Sequence, residues 1–387
     1  MPGTHAVLSA SSAERWLNCP PSVRLTENMP DTPSEYAAEG TLAHALGELK
    51  LRKKFEVMSK SKYEKALDAL KTDPLYQPEM DGYTDQYLEY ILAIAHSYNK
   101  IKPYVAVEKR LDYSNIAPGG FGTGDCVMMC GNDLHIIDLK YGKGVPKSAE
   151  QNPQLMLYAL GALNEYNILY DITNVTLHIV QPRLTDGNSA WSISAADLTT
   201  WGESIKPIAE LADKGQGGFK CGDWCRFCKA KAVCKTRAEY FLEAEKLESV
   251  PAELLTNSEL GDILTRAQNM KNWITDIEEY ALKEILSGRA VDGWKAVEGR
   301  SNRTIKDVDA AFAVLTANGY DEAILYERKP ITLTALEKLV PKTQLAELIG
   351  GQIIKPQGKP TLATADDKRK DFNPIDVNKI FGGNSNE

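Results

Sequence analysis

The chain has 387 residues, 43% hydrophobic and 25% charged, with a formal net charge of −8. Such a length can bury a full core and suggests about two domains of roughly 150 residues each, with the composition of an ordinary soluble globular protein. No basic segment followed by an apolar run opens the chain, and no stretch nears the roughly 18 apolar residues of a membrane span, so the cytoplasm is the expected compartment.

Seven cysteines without a secretory signal argue against a disulfide framework, and metal ligation becomes the leading use for a clustered set. The negative total is unlike that of most nucleic-acid binders, whose affinity comes largely from Lys and Arg. A local groove can still be basic, and acidic residues at a metal site add to the negative count.

In chain order, Ser11-Ser12-Ala13-Glu14 predicts a capped short helix running toward Cys19 and stopped by Pro20-Pro21. A long helix carrying His44 is expected over Ser34–Phe55, with further helices over Tyr63–Leu70 and Gly82–Tyr98. The period then changes. Tyr104–Leu111, Thr123–Cys130, Leu134–Tyr141 and Val175–Gln181 read as strands, with a helix over Glu150–Tyr166 between the last two. This order predicts an α/β core with a central mixed sheet flanked by helices. Ala195–Ala212 reads as a helix, Lys214–Gly218 as a linker, and the rest as mainly helical with one strand near Trp294–Val297. The expected division is a domain over 1–244, a helical accessory region over 245–375 and a flexible tail over 376–387.

The most informative segment runs from Gly122-Thr123-Gly124-Asp125 to Asp138-Leu139-Lys140-Tyr141-Gly142. Gly131-Asn132 is a credible two-residue hairpin turn. Pairing Cys130 with Asp133 across it makes Asp125 and Asp138 direct cross-strand neighbours, with Lys140 on the same face as Asp138. That face otherwise carries Val127, Met129, Leu134 and Ile136, while Cys126 and Cys130 face the other way as core thiols. Two carboxylates at the end of an apolar face need compensation, which a divalent cation provides. Mg²⁺ or Mn²⁺ takes carboxylate oxygens, keeps waters and accepts a phosphate oxygen, and Lys140 is placed to orient or deprotonate a water. A surface ion pair on an edge strand is the competing reading of Asp138 and Lys140.

The ordered set Gly40-Thr41-Leu42-Ala43-His44, Val107-Glu108, Gly124-Asp125, Ile137-Asp138-Leu139-Lys140-Tyr141-Gly142 and Gln154-x-x-x-Tyr158 resembles the RecB-like nucleases of the PD-(D/E)XK superfamily, in a phage or prophage form. The likeness spans roughly residues 8–240. It implies a PD-(D/E)XK core in which His44, Asp125, Asp138 and the Leu139 carbonyl ligate the metal and Lys140 is the catalytic lysine. It also implies that Gln154 and Tyr158, one helical turn apart, contact DNA and brace the centre, with Glu108 a neighbouring supporting acid. The usual Pro-Asp is Gly124-Asp125 here.

Cys221-x₃-Cys225-x₂-Cys228-x₅-Cys234 calls for a soft metal or cluster. Two ligand sets are open: these four, or Cys19 with Cys225, Cys228 and Cys234. The second resembles RecB-like nucleases holding a [4Fe-4S] cluster, and it would leave Cys221 as a spare or substitute ligand. A Cys₄ zinc site is the alternative. The helical remainder disfavours a radical-SAM reading.

Basic residues concentrate around the cysteines (Lys220, Arg226, Lys229, Lys231, Lys235, Arg237), over Trp294–Lys306, and at Lys143 and Lys147. The expected activity is a Mg²⁺- or Mn²⁺-dependent deoxyribonuclease, an exonuclease of phage recombination or replication in the bacterial host cytoplasm, with DNA and a single-strand-binding or recombination protein as partners. The alternative is a non-cleaving DNA-binding or assembly module that keeps the same fold and cluster.

Overall fold

A computed structural model describes residues 6–30, 35–98, 101–142, 146–242, 257–297 and 307–317. A 3-10 turn, Ala10–Ser12, leads into α1 (Ala13–Asn18), then α2 (Ser22–Leu25), α3 (Glu35–Phe55), α4 (Lys60–Lys71) and α5 (Glu79–Ser97). The sheet follows, as β1 (Tyr104–Asp112), β2 (Phe121–Cys130), β3 (Asp133–Leu139), β4 (Asn174–Val180) and β5 (Ser189–Ser194). Between β3 and β4 lies α6 (Pro153–Tyr166), and after β5 come α7 (Ala195–Lys214), α8 (Lys235–Leu242) and α9 (Asn257–Leu286). The chain divides into two compact units, 1–297 and 298–387, and the second contains α10 (Val308–Ala317).

The strands lie side by side in chain order, antiparallel except for the parallel pair β3 and β4. A parallel pair needs a crossover, which α6 supplies. Asn152 caps α6, its side chain accepting from the N–H groups of Gln154 and Leu155, and Pro153 follows as first helical residue. The protein is therefore α/β with a central mixed sheet between helices, as its sequence predicts.

One face of the sheet packs Val127, Met129, Leu134 and Ile136 against α1, α6 and α7. The other packs Cys126, Met128, Ile137 and Leu139 against α3 and α5. The hairpin register is the expected one, from Cys130↔Asp133 to Cys126↔Ile137, around Gly131 at φ 60°, which glycine adopts at no steric cost.

Four local expectations change. Ser12 makes no side-chain cap for α1, because its hydroxyl donates to the Ser9 carbonyl and a 3-10 turn precedes the helix. Pro20-Pro21 ends α1, yet α2 begins at once. The edge strand β5 is absent from the sequence reading, since its apolar signal is only Trp191 and Ile193 among serines and alanine. Around Trp294 there is a single bridge to Val291 closing a turn with Gly293 at φ 80°, in place of a strand. Lys143, residues 298–306, the 376–387 tail and most of the accessory region lie outside the described residues. Among the described residues no helix is long and apolar enough to cross a membrane.

Candidate metal centre and cysteine cavity

Regular strands keep odd and even residues on opposite faces, but β1 and β2 both switch faces at one step. Val107 packs on the α3/α5 side, whereas Leu111, also odd-numbered, packs on the α6 side. On β2, Cys126 and Met128 face α3/α5, whereas a Cβ built on Gly122 or Gly124 would meet Tyr158 or Leu111, both on the α6 side. The switch falls between the pairs Val107↔Cys126 and Lys109↔Gly124, at Glu108 and Asp125. Glu108 accommodates it with a left-handed φ of 50°. That conformation is costly for glutamate and marks a position held by its surroundings.

Asp125 therefore leaves the pleat. Its carboxylate accepts from the Leu139 N–H at 2.7 Å, in the place of a strand carbonyl, and lies 3.3 Å from His44 Nδ1. This is why the β2–β3 ladder stops one pair short of Asp125 and Asp138. One ligand atom each from His44, Glu108 and Asp125 gathers within 4.8 Å. Helix α3 brings His44, and one turn further on its Glu48 binds Arg52 at 2.7 Å, which in turn donates to the Val107 carbonyl at 3.3 Å.

Asp138 forms the other half. Its side chain is only 3% exposed, with Lys140 Nζ paired to Oδ2 at 2.8 Å. Gln154 Nε2 donates to Asp138 Oδ1 at 3.3 Å and to the Tyr158 hydroxyl at 3.4 Å, while Gln154 Oε1 accepts from Lys140 Nζ at 3.2 Å. Tyr158 is 6% exposed and braces Gln154 from inside the core, which leaves little of it for DNA.

Electrostatics join the halves. Burial disfavours charge on His44, but Asp125 and then Asp138 overcome it and raise the imidazole to about 9. Burial, then Asp125 and Glu48, push Glu108 up to about 7, against the pull of His44 and Arg52. Asp125 stays low despite burial, because His44, Lys140 and the Leu139 N–H favour its anion. Burial and the neighbouring Asp125 raise Asp138, opposed by Lys140, whose own value Asp138 raises against burial. Crowded acids beside an imidazole form a donor set suited to a hard divalent cation.

Sequence reasoning placed His44, Asp125, Asp138, Leu139, Lys140, Gln154 and Tyr158 here, and the fold brings all of them together. It rated Glu108 only as a supporting acid and missed Glu48, which the i,i+4 spacing from His44 would have shown. Arg183 was also missed. It is 7% exposed, paired with Glu39 at 3.0 Å and stacked over the Tyr141 ring at 4.5 Å.

Cys19, near the start of the chain, lines one small cavity with Cys221, Cys225, Cys228 and Cys234, beside Arg15, Lys231 and Arg237. A hydrogen bond from Cys221 lowers the Cys225 thiol to about 6 against the effect of burial, and raises Cys221 itself. Burial raises Cys228. Among the described residues no three of these sulfurs lie within 4.8 Å of one another.

The fold and site define an α/β protein with a half-buried centre of acids, an imidazole and a lysine at a break in its sheet. The chain belongs to the family described as protein of unknown function (DUF2800), whose model matches residues 5–370. Among solved structures it is similar to the crystal structure of SSO0001, at 17% identity over 58% of this chain and 96% of that one, with a TM-score of 0.24. A likeness that low says nothing of function.

Proposed function

We propose that this chain is a metal-dependent DNA nuclease of the RecB-like branch of the PD-(D/E)XK superfamily, an exonuclease of phage recombination or replication. The observation that carries the reading is the meeting of His44, Glu108 and Asp125 at ligand distance beside Asp138, Lys140 and Gln154. His44, Asp125, Asp138 and the Leu139 carbonyl would hold Mg²⁺ or Mn²⁺, with Glu108 as a further acid. When bound, the cation polarises a phosphate oxygen and acidifies a water. Asp138 holds Lys140 in its ammonium form, which fits it to donate to charge developing on a phosphate oxygen. Gln154 keeps that ammonium and the Asp138 carboxylate in fixed relation, and Tyr158 fixes Gln154.

The cysteine cavity supports a structural centre that ties the end of α1 to the segment before α8. A tetrahedral zinc site, with Zn–S near 2.3 Å, would draw its sulfurs to roughly 3.8 Å of one another. A [4Fe-4S] cluster would bind its cysteines through separate irons, and one early cysteine, Cys19, with the late Cys225-x₂-Cys228-x₅-Cys234 supports that reading.

The test is cleavage of end-labelled duplex and single-stranded DNA by anaerobically purified protein with Mg²⁺, Mn²⁺ or EDTA. Asp138→Ala and Lys140→Ala should each lower the metal-dependent rate by about 10²–10³-fold. If wild type and Asp138→Ala share one background in both metals, the enzyme reading fails, and DNA binding without cleavage would mark a non-catalytic module instead.

A further inference from the structure

The cysteine segment carries a feature that neither the cleavage centre nor a structural cluster uses. The 3-10 turn Asp223–Phe227 pushes Phe227 out to 68% exposure, beside the partly exposed Trp224. Both rings line both of the open hollows that flank this segment, so they stand as a ridge between two clefts. Trp224 is fixed by its indole N–H donating to the Lys220 carbonyl at 3.1 Å. It also lies so close over Gly222 that a Cβ there would come within 2.4 Å of the ring. A rigid aromatic step left in water is unfavourable unless something stacks on it.

Its cationic surroundings indicate what stacks. Lys147 Nζ lies 5.6 Å and the Arg226 guanidinium 5.8 Å from the Phe227 ring centre, and Lys220 Nζ lies 5.5 Å from that of Trp224. The cations lie over the rings at cation–π range, and Phe227 keeps most of its surface in solvent beneath them. Lys229 lines the second hollow. Of the carboxylates lining the two hollows, Asp276 is paired with Lys231 and Arg237 at 2.6 Å each and Glu27 with Arg24 at 2.7 Å, leaving Glu14 and Asp223 beside Lys147, Lys220 and Arg226. Lys147 also connects the ridge to the cleavage centre. Its backbone N–H donates to Gln181 Oε1, and Gln181 Nε2 donates to the carbonyl of Gly142, two residues beyond Lys140.

We infer that Phe227 and Trp224 form a stacking platform for unpaired nucleotides of a single DNA strand, with Lys147, Lys220 and Arg226 on its phosphates. Aromatic rings among cations bind single strands with little sequence preference, because every base has a π-face. A duplex keeps its bases stacked on one another and cannot use such a ridge. The inference rests on the nucleic-acid reading above and supplies its substrate class, a single-stranded end or overhang.

The experiment is fluorescence anisotropy of a labelled oligo-dT and of a blunt duplex with the full chain in EDTA, where no metal-dependent cleavage occurs. Oligo-dT is expected to bind more tightly than the duplex. Phe227→Ala should weaken it about tenfold and Phe227→Trp should restore it. Lys147→Ala with Arg226→Ala should lower the slope of log affinity against log salt by about 1.4. Equal affinity for Phe227→Ala and wild type, a preference for duplex, or no binding of either probe overturns the inference. Metal-dependent cleavage, measured separately, can survive each of those results, so the two readings fail independently.

Discussion

Glu108 shows most directly how the centre is built. Burial and neighbouring anions hold its carboxyl near 7, against an ordinary value of 4.5. The unfolded chain therefore loses this proton as pH rises past about 4.5 while the fold keeps it until about 7, so Glu108 subtracts stability across that window. Glu108→Gln should make the metal-free protein more stable than wild type at pH 8, by about 1–3 kcal/mol, and alter it little at pH 4. The same variant should bind Mn²⁺ more weakly, on the order of tenfold. Urea unfolding in EDTA at both pH values and calorimetry with Mn²⁺ check the two halves. Asp138 and Lys140 were legible in the sequence because a two-residue turn and a period of two fix their register, whereas the direct cross-strand pairing expected of Asp125 with Asp138 gives way to a bond from the Leu139 N–H to the Asp125 carboxylate. Glu108 was underrated because its importance comes from a break in that period, set by a left-handed backbone no composition signals.

Between elements, a line of hydrogen bonds fastens α5 to the sheet. Tyr98 donates to Asp133 at 2.9 Å and so accepts from His135 Nε2 at 2.7 Å, leaving His135 Nδ1 to accept from His178 Nε2 at 3.0 Å. His178 Nδ1 then accepts from Tyr90 at 3.0 Å. Each group donates toward Asp133, and an added proton on His135 Nδ1 would set two N–H groups against each other, while one on His178 would place a charge in a buried site. Burial and the neighbouring His135 accordingly lower His178 to about 3. The unfolded chain gains a proton on this residue below about pH 6.5 and the fold does not, so stability is whole above that pH and lost progressively as it falls toward 3. Urea unfolding at pH 7 and pH 5 should show a loss of about 2 kcal/mol from this source, and His178→Asn should flatten the dependence. An unchanged slope in the variant would remove the histidine line from the account. The strands carrying it were readable as apolar runs. The line itself was not, since it joins residues from α5, β3 and β4 that share no local pattern.

Across the molecule, the cysteine cavity joins the start of the chain to residues beyond α7. Each ligand lost should cost iron and stability together, and the two candidate ligand sets predict opposite results. If Cys19 is a ligand of the proposed cluster, Cys19→Ser should lose iron and melt several degrees lower, as should Cys228→Ser, while Cys221→Ser should retain both. Iron analysis with thermal melts of the anaerobic protein decides this, and iron retained by Cys19→Ser would assign the local four. The cysteine spacing was plain in the sequence, and the likeness to RecB-like nucleases already offered Cys19 as a partner for Cys225, Cys228 and Cys234; the fold sets Cys19 in their cavity, where α1 and α2 pack against α7.

The paired change of side at Glu108 and Asp125 also governs which errors the chain can absorb. Upstream and downstream halves of β1 and β2 are packed in opposite phase and meet at a single rung, so neither half can slide without the other. Removing one residue from β2 between Gly122 and Cys126 would turn one half inside out, exposing the positions that seat Leu111 and Tyr158.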